Sequence, residues 1–354
     1  MDITKIDKNF VLKNEQHDGM IDYVIPCDPF ELYGVVYNEN ENRFMRMDYD
    51  TAKKVGEGVQ WLSKCTSGGR ICFSTNSKKI ELTVKYSTLN KMKHMTLLGS
   101  SGFTLIEEGK KGNNPKACFI PEFDSEKGFH SSATLSGEMK SYTLYFPLYN
   151  DVESLVIRLE DDSKVAKGHS YRKEKPILYY GSSITQGGCA SRPDTCYPAL
   201  ISRWNDIDFI NLGFSGNCLG ESAMAEYLSQ IECSLFVCDY DHNSPSVEHL
   251  KRTQFEVYQT FRKKQKDTPI LFLTKPDIRL WDEYKDFRNA IYENYKKARK
   301  QGDCNVYFLG GETYYGDEDS DLCGVDGCHP TDLGFYKMAK KIYAKMIKID
   351  KKFQ

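Results

Sequence analysis

The sequence predicts an α/β protein in two parts: a flavodoxin-like three-layer domain with a five-stranded parallel sheet over residues 177–354, preceded by an all-β, jelly-roll-like domain over 26–160. Three observations carry this expectation. The first half alternates apolar and polar residues with period two. The second half sets short unbroken apolar runs between longer helix-forming stretches. A charged segment without apolar periodicity, EDDSKVAKGHSYRKEKP, separates them, and its 161–176 part reads as a linker.

In the first half, Ile80, Leu82, Val84 and Tyr86 alternate with Glu81, Thr83 and Lys85, which is the pattern of an antiparallel strand with one wet face. ICFSTNS, SYTLYFPLY and LVIRLED repeat the habit, with Gly, Asn and Ser between them, and no long amphipathic helix is evident. Residues 1–25 are set apart as a polar N-terminal segment. In the second half the runs ILYY, DFINLG, LFVCDY, ILFLT and VYFLG read as five strands buried on both faces. SVEHLKRTQFEVYQTFRKKQ reads as one of the intervening helices. A last helix puts Phe335, Met338, Ala339, Ile342, Met346 and Ile349 on one face.

The chain has 354 residues, 28% of them charged, with a net charge of −2, which removes any global electrostatic case for nucleic acid or an anionic membrane as partner. No apolar run approaches the roughly 20 residues of a membrane helix. The opening MDITKIDKNFVLKNEQHDG lacks an apolar export core, so the expected location is cytoplasmic. Twelve cysteines without a C-x-x-C pair argue against a zinc ribbon or dithiol redox site and read as reduced thiols. Cys233 and Cys238 read as core residues; a Cys189–Cys196 disulfide stays open.

In a parallel α/β sheet, chemistry sits beyond the C-terminal strand ends. The first strand runs into GSSIT, where Ser183 can present a hydroxyl and a backbone N–H at one point; a tight turn with a capping serine is the alternative. The second ends in NLGFSGN, where Gly216 can bring its N–H close to a ligand or simply form a left-handed turn. The third ends in CDYDHNSP, where Asn243 is either an oxyanion donor or an Asx turn before Pro245. The i, i+2 spacing of Asp239 and Asp241 would aim both the same way, so they read as hydrogen-bonded scaffold or rim. Near the end, VDGCHPTDLGF sets Asp326 three residues before His329. Pro330 and Thr331 start the last helix, with Asp332 at its positive end. One imidazole nitrogen can then face Asp326 and the other Ser183.

GSSIT, the Gly216 turn, Asn243 and D-x-x-H-P together resemble the four blocks of the SGNH hydrolases, or GDSL esterases, in order and spacing over about residues 176–350. The resemblance implies Ser183 as nucleophile, Asp326 and His329 as its triad partners, and an oxyanion hole from the N–H groups of Ser183 and Gly216 and the Asn243 amide. Ser182 stands where the family has the aspartate of G-D-S, Asp241 where it has the glycine of G-x-N-D, and Ser244 its aspartate. WLSKCTSGGRICFSTNS and GSSGFTLIEEG resemble segments of an N-terminal β domain found in one branch, although Thr104 and Ile106 stand at the Asp and Tyr of its D-L-Y signature, with Leu105 at the Leu. The implied activity is hydrolysis of short acyl esters, acetyl on carbohydrate above all, with no metal or organic cofactor and a small-molecule or oligosaccharide ester as partner. Rivals are an acyltransferase using the same groups and a non-catalytic binding protein. Trp61 is a conceivable sugar platform but reads more readily as a core residue.

Overall fold

The computed structural model describes residues 16–17, 19–109, 113–276 and 284–354. Among the described residues, 16–167 carry two large antiparallel sheets and the two-stranded ribbon Val36–Asn38/Arg43–Met45, and the strands from Ile177 onward form the parallel sheet. One sheet of the sandwich runs through Gln16–His17, Met20–Ile25, Ser154–Glu160, Lys79–Lys85 and Gly128–Thr134; the other through Val165–Lys167, Arg70–Thr75, Lys140–Tyr145, Phe103–Glu107 and Asn114–Phe119. Ile80, Leu82, Val84 and Tyr86 all point into the space between the sheets, as the period-two pattern requires. The opposite face is organised by ions: Glu81 meets Arg158 at 2.7 Å and Lys79 at 2.6 Å.

The sandwich extends beyond the predicted 26–160 at both ends. Met20–Ile25 pairs with Ser154–Glu160, setting Asp22 opposite Arg158 at 2.7 Å. Val165–Lys167, inside the expected linker, pairs with Arg70–Thr75. Each segment carries one charge met by its opposite, Asp22 by Arg158 across the ladder and Lys167 by Glu31 at 3.3 Å, which a composition-based boundary cannot register.

The parallel sheet has the order Phe209–Gly213, Ile177–Gly181, Leu235–Asp239, Ile270–Leu273, Val306–Leu309. This 2-1-3-4-5 order reverses direction at Ile177–Gly181, so a crevice opens beside that strand's C-terminal end. Helices Ser222–Gln230, Val247–Lys264 and Tyr284–Lys300 cover one face; Tyr197–Asn205 and Asp332–Ile349 cover the other. On the last helix Phe335, Met338, Ala339, Ile342 and Met346 are fully buried, each large one contributing about 1.5–3 kcal/mol.

The two halves share their cores. Two short helices in the first half, Tyr49–Val55 and Glu57–Leu62, send Ala52, Val59 and Leu62 into the cluster under the parallel sheet. Arg46 is buried and donates to the carbonyls of Asn211 (3.1 Å), Gly213 (2.7 Å) and Leu62 (2.7 Å), tying the sandwich to the end of the second parallel strand. All twelve cysteines are free thiols, so the Cys189–Cys196 bridge is not formed, and Cys233 and Cys238 are buried. No helix among the described residues is long and apolar enough to cross a membrane.

Candidate active site

Gly181 ends the first parallel strand, and its register partners Gly213 and Asp239 end the strands on either side. A Cβ at residue 181 would lie 2.0 Å from Thr185 Oγ1 and 2.5 Å from the Asp239 carbonyl, so only glycine permits the tight turn from strand into the helix Ser183–Gln186. The two serines of this turn divide the work. Ser182 Oγ caps the helix by accepting from Ile184 N at 3.3 Å, whereas Ser183 Oγ lies 2.9 Å from His329 Nε2. Ser183 thus opens a helix, and its N–H has no hydrogen-bond partner among the described residues.

His329 is held from its other side. Its Nδ1 lies 2.8 Å from Asp326 Oδ2, while Asp326 Oδ1 accepts from the backbone N–H groups of His329 (2.8 Å) and Cys328 (3.0 Å). Partial burial opposes the charge of Asp326, but these backbone donors and the imidazole outweigh it and pull its pKa down to about 2. Thr331, rather than Pro330, caps the final helix, accepting from Gly334 N at 3.2 Å; Pro330 precedes the cap and pairs with Gly324 across the loop. Asp332 does more than complement the helix end: its carboxylate accepts from Ser191 N (3.0 Å), Ser191 Oγ and Thr195 Oγ1 (2.7 Å), fastening the loop after the nucleophile.

Gly216 adopts φ +69°, a conformation that L side chains rarely take, and nothing lies within 4 Å of where a Cβ would be. Its N–H is unpaired among the described residues. The loop is held by Gln186, whose Oε1 accepts from Ser215 N at 3.0 Å, and by Asn217, which donates to the Ser215 carbonyl at 2.8 Å. Asn243 lies in the turn Asp241–Asn243 beyond the third strand; its Oδ1 accepts from Cys218 N at 3.3 Å, leaving the NH₂ end to donate.

Asp239 and Asp241 are buried scaffold rather than rim, each with its own hydrogen-bond partners. Asp239 accepts from Thr185 Oγ1 (3.0 Å) and Tyr197 OH (3.3 Å) under the nucleophile turn; Asp241 accepts from Lys275 N (2.8 Å). Burial, reinforced by Asp241, pushes Asp239 up to about 7; burial likewise pushes Asp241 up to about 6.

Four features escape the sequence reading. Trp61 is 51% exposed instead of buried, because the helix Glu57–Leu62 packs through Val59 and Leu62 and turns the indole outward. It helps line a cavity of about 380 Å³ with Leu62, Lys91, Met92, Tyr149 and Asn217, next to the Gly216 loop. Tyr149 donates to the Ser183 carbonyl at 3.3 Å. His94, from a loop of the first half, stands with its ring centre 5.9 Å from that of His329. None of these had a local signal, since each depends on how the sandwich docks.

Comparison with known proteins agrees with this architecture. The family model described as GDSL-like lipase/acylhydrolase matches residues 174–348, and that of the N-terminus of SGNH-hydrolase-type esterases matches 23–165. A Bacteroides ovatus protein described as a GDSL-like lipase is 30% identical, with TM-score 0.84 over 93% of this chain and 98% of its own. A salicylyl-acyltransferase from a tetracycline biosynthetic pathway shares the fold at 19% identity and TM-score 0.77, over 94% of this chain and 98% of its own. So does a family-two carbohydrate esterase of Clostridium thermocellum, solved with cellohexaose, at 14% identity and TM-score 0.63 over 90% and 98%. No curated protein matches the chain significantly. With both halves matched in order and a neighbour alike over nearly its whole length, the chain belongs to the GDSL-like lipase/acylhydrolase family, the SGNH hydrolases.

Proposed function

We propose that this protein is a serine esterase that removes short acyl groups, acetyl foremost, from carbohydrate esters. The observation that carries the reading is the continuous chain Ser183 Oγ to His329 Nε2 (2.9 Å) and His329 Nδ1 to Asp326 (2.8 Å). His329 takes the Ser183 proton as the hydroxyl attacks the ester carbonyl. Asp326 keeps Nδ1 protonated and stabilises the imidazolium that forms. The oxyanion meets the N–H groups of Ser183 and Gly216 and the Asn243 amide. His329 then returns the proton to the departing alcohol and activates water against the acyl-enzyme.

A sugar as the alcohol part is supported by the cavity beside the Gly216 loop. Trp61 offers a flat apolar face, and Lys91 and Asn217 offer donors at its edge, which suits a ring with apolar faces and hydroxyl edges. The likeness in fold to a carbohydrate esterase solved with cellohexaose points the same way. The test is a series of p-nitrophenyl esters from acetyl to decanoyl beside a panel of acetylated sugars. Each methylene in an apolar slot contributes about 0.8 kcal/mol, so a lipase would improve steadily with chain length. Here kcat/KM is expected to fall from acetyl to octanoyl, with acetate released from at least one sugar; a maximum at octanoyl or beyond overturns the carbohydrate reading. The cavity is larger than an acetyl group needs, which favours as second reading transfer of the acyl group to another alcohol bound there. Adding acceptor alcohols and measuring transfer against hydrolysis separates the two.

Asn243→Ala is expected to lower kcat about 10²–10³-fold with little change in KM, because the amide acts on charge that develops only in the transition state. Steady-state kinetics with p-nitrophenyl acetate check this; a defect confined to KM removes Asn243 from the oxyanion hole.

A further inference from the structure

A cluster of three potential metal ligands stands at the mouth of the site. A ring nitrogen of His94, Cys189 Sγ and a carboxylate oxygen of Asp326 all lie within 4.8 Å of one another. We propose that His94, Cys189 and Asp326 form an inhibitory site for a borderline divalent cation such as Zn²⁺, which shuts the enzyme off by capturing Asp326. The inhibitory part rests on the esterase reading above; the site itself does not.

The donor set suits this ion: imidazole nitrogen, thiolate and carboxylate are the ligands Zn²⁺ takes, with room for water in a fourth position. In a tetrahedral zinc site such atoms are about 3.3–3.8 Å apart, so the cluster closes through a small swing of the exposed His94 ring. The ligands come from three segments already fastened together. Two residues after His94, Thr96 donates its hydroxyl to the Ser191 carbonyl at 2.6 Å, which binds the His94 loop to the Cys189 loop. Ser191 in turn donates to Asp332, three residues beyond His329. Cys189 is held at φ +72°, a backbone conformation that non-glycine residues seldom adopt. Burial and the neighbouring Asp326 and Cys328 raise the Cys189 thiol to about 12; a metal ion displaces that proton on binding.

The consequence follows from sharing a ligand. Asp326 orients His329 through the 2.8 Å contact to Nδ1, and a dication on the same carboxylate competes for that contact. It also sets positive charge beside the ring that must become imidazolium in the transition state. The expected pattern is therefore a fall in kcat with KM little changed.

The experiment uses the full chain after chelator treatment. Zn²⁺ binding is measured by calorimetry, thiolate ligation by the absorption of Co²⁺ as substitute, and activity by p-nitrophenyl acetate hydrolysis at matched Zn²⁺ concentrations. One equivalent is expected to bind, inhibition to follow the same midpoint and reverse with EDTA, and Mg²⁺ to have no effect. His94→Ala and Cys189→Ser are expected to keep metal-free activity and melting temperature while weakening Zn²⁺ binding and inhibition more than about tenfold, and Cys189→Ser to abolish the thiolate band. Wild-type affinity in both variants, or a bound equivalent that leaves kcat unchanged, overturns the proposal. Should one variant misfold, the other carries the same test. Wild-type protein that binds Zn²⁺ through this thiolate but hydrolyses no ester supports the site and sinks the esterase reading instead.

Discussion

Ser183→Ala is expected to lower kcat on p-nitrophenyl acetate by about 10⁶-fold, the loss seen when the nucleophile of a serine triad is removed alone. The size of the effect follows from the role. Without Oγ there is no acyl-enzyme, and what remains is water reacting beside an oxyanion hole. Folding should be little affected. The Ser183 hydroxyl points at His329, while the helix that begins there is capped by Ser182. Circular dichroism and thermal melting should match wild type, and labelling by a fluorophosphonate probe should vanish. Ser182→Ala is the control: it removes a cap, costs about 1 kcal/mol of local stability, and leaves most of the activity. Near-wild-type turnover in Ser183→Ala together with its loss in Ser182→Ala would reassign the nucleophile.

The second large effect is expected at the acid of the triad. His329→Ala should cost about as much as Ser183→Ala, since neither group works without the other. Asp326→Asn should cost less, about 10³-fold, where a fully buried triad aspartate costs about 10⁴. The reason lies in the surroundings of Asp326. An amide at this position still accepts from the N–H groups of Cys328 and His329, so the loop keeps its shape. Its NH₂ group then faces Nδ1 and favours the tautomer in which Nε2 carries the proton and cannot accept from Ser183. The side chain is 39% exposed, so water replaces part of what the carboxylate did for the imidazolium. With its pKa at about 2, Asp326 is ionised throughout the range in which an esterase is assayed, so its own titration contributes no acid limb to the wild-type pH–rate profile. Full activity in Asp326→Asn would leave a Ser-His dyad as the better description.

The parts of the fold that the chain announced are those governed by local physics. The alternation of Ile80, Leu82, Val84 and Tyr86 with polar neighbours is enough to make a half-buried strand, and all four are buried. The apolar runs at Ile177, Phe209, Leu235, Ile270 and Val306 become the five parallel strands because only a sheet covered on both faces buries such runs whole. The candidates Ser183, Gly216, Asn243, Asp326 and His329 could be named for the same reason: each sits a few positions past a strand end or just before a helix, where chain direction already dictates the face. Boundaries were less legible. Asp22 in Met20–Ile25 and Lys167 in Val165–Lys167 look like loop residues until the cross-strand partner of the first, Arg158, and the ion-pair partner of the second, Glu31, are seen.

Sequence alone determined the fold class, the five apolar strands of the parallel sheet and the final helix, and it named candidate groups at the strand ends, because periodicity and the reach of a short turn are properties of neighbouring residues. Tertiary structure decided which serine of GSSIT faces His329, that Asp239 and Asp241 are buried, that Trp61 is turned outward, and that His94 and Cys189 approach Asp326. These are contacts between positions tens to hundreds of residues apart, fixed by docking the sandwich onto the sheet through Arg46, Leu62 and Thr96. No run of neighbouring residues carries that information, since the free energy that selects it comes from surfaces that exist only once both halves have folded.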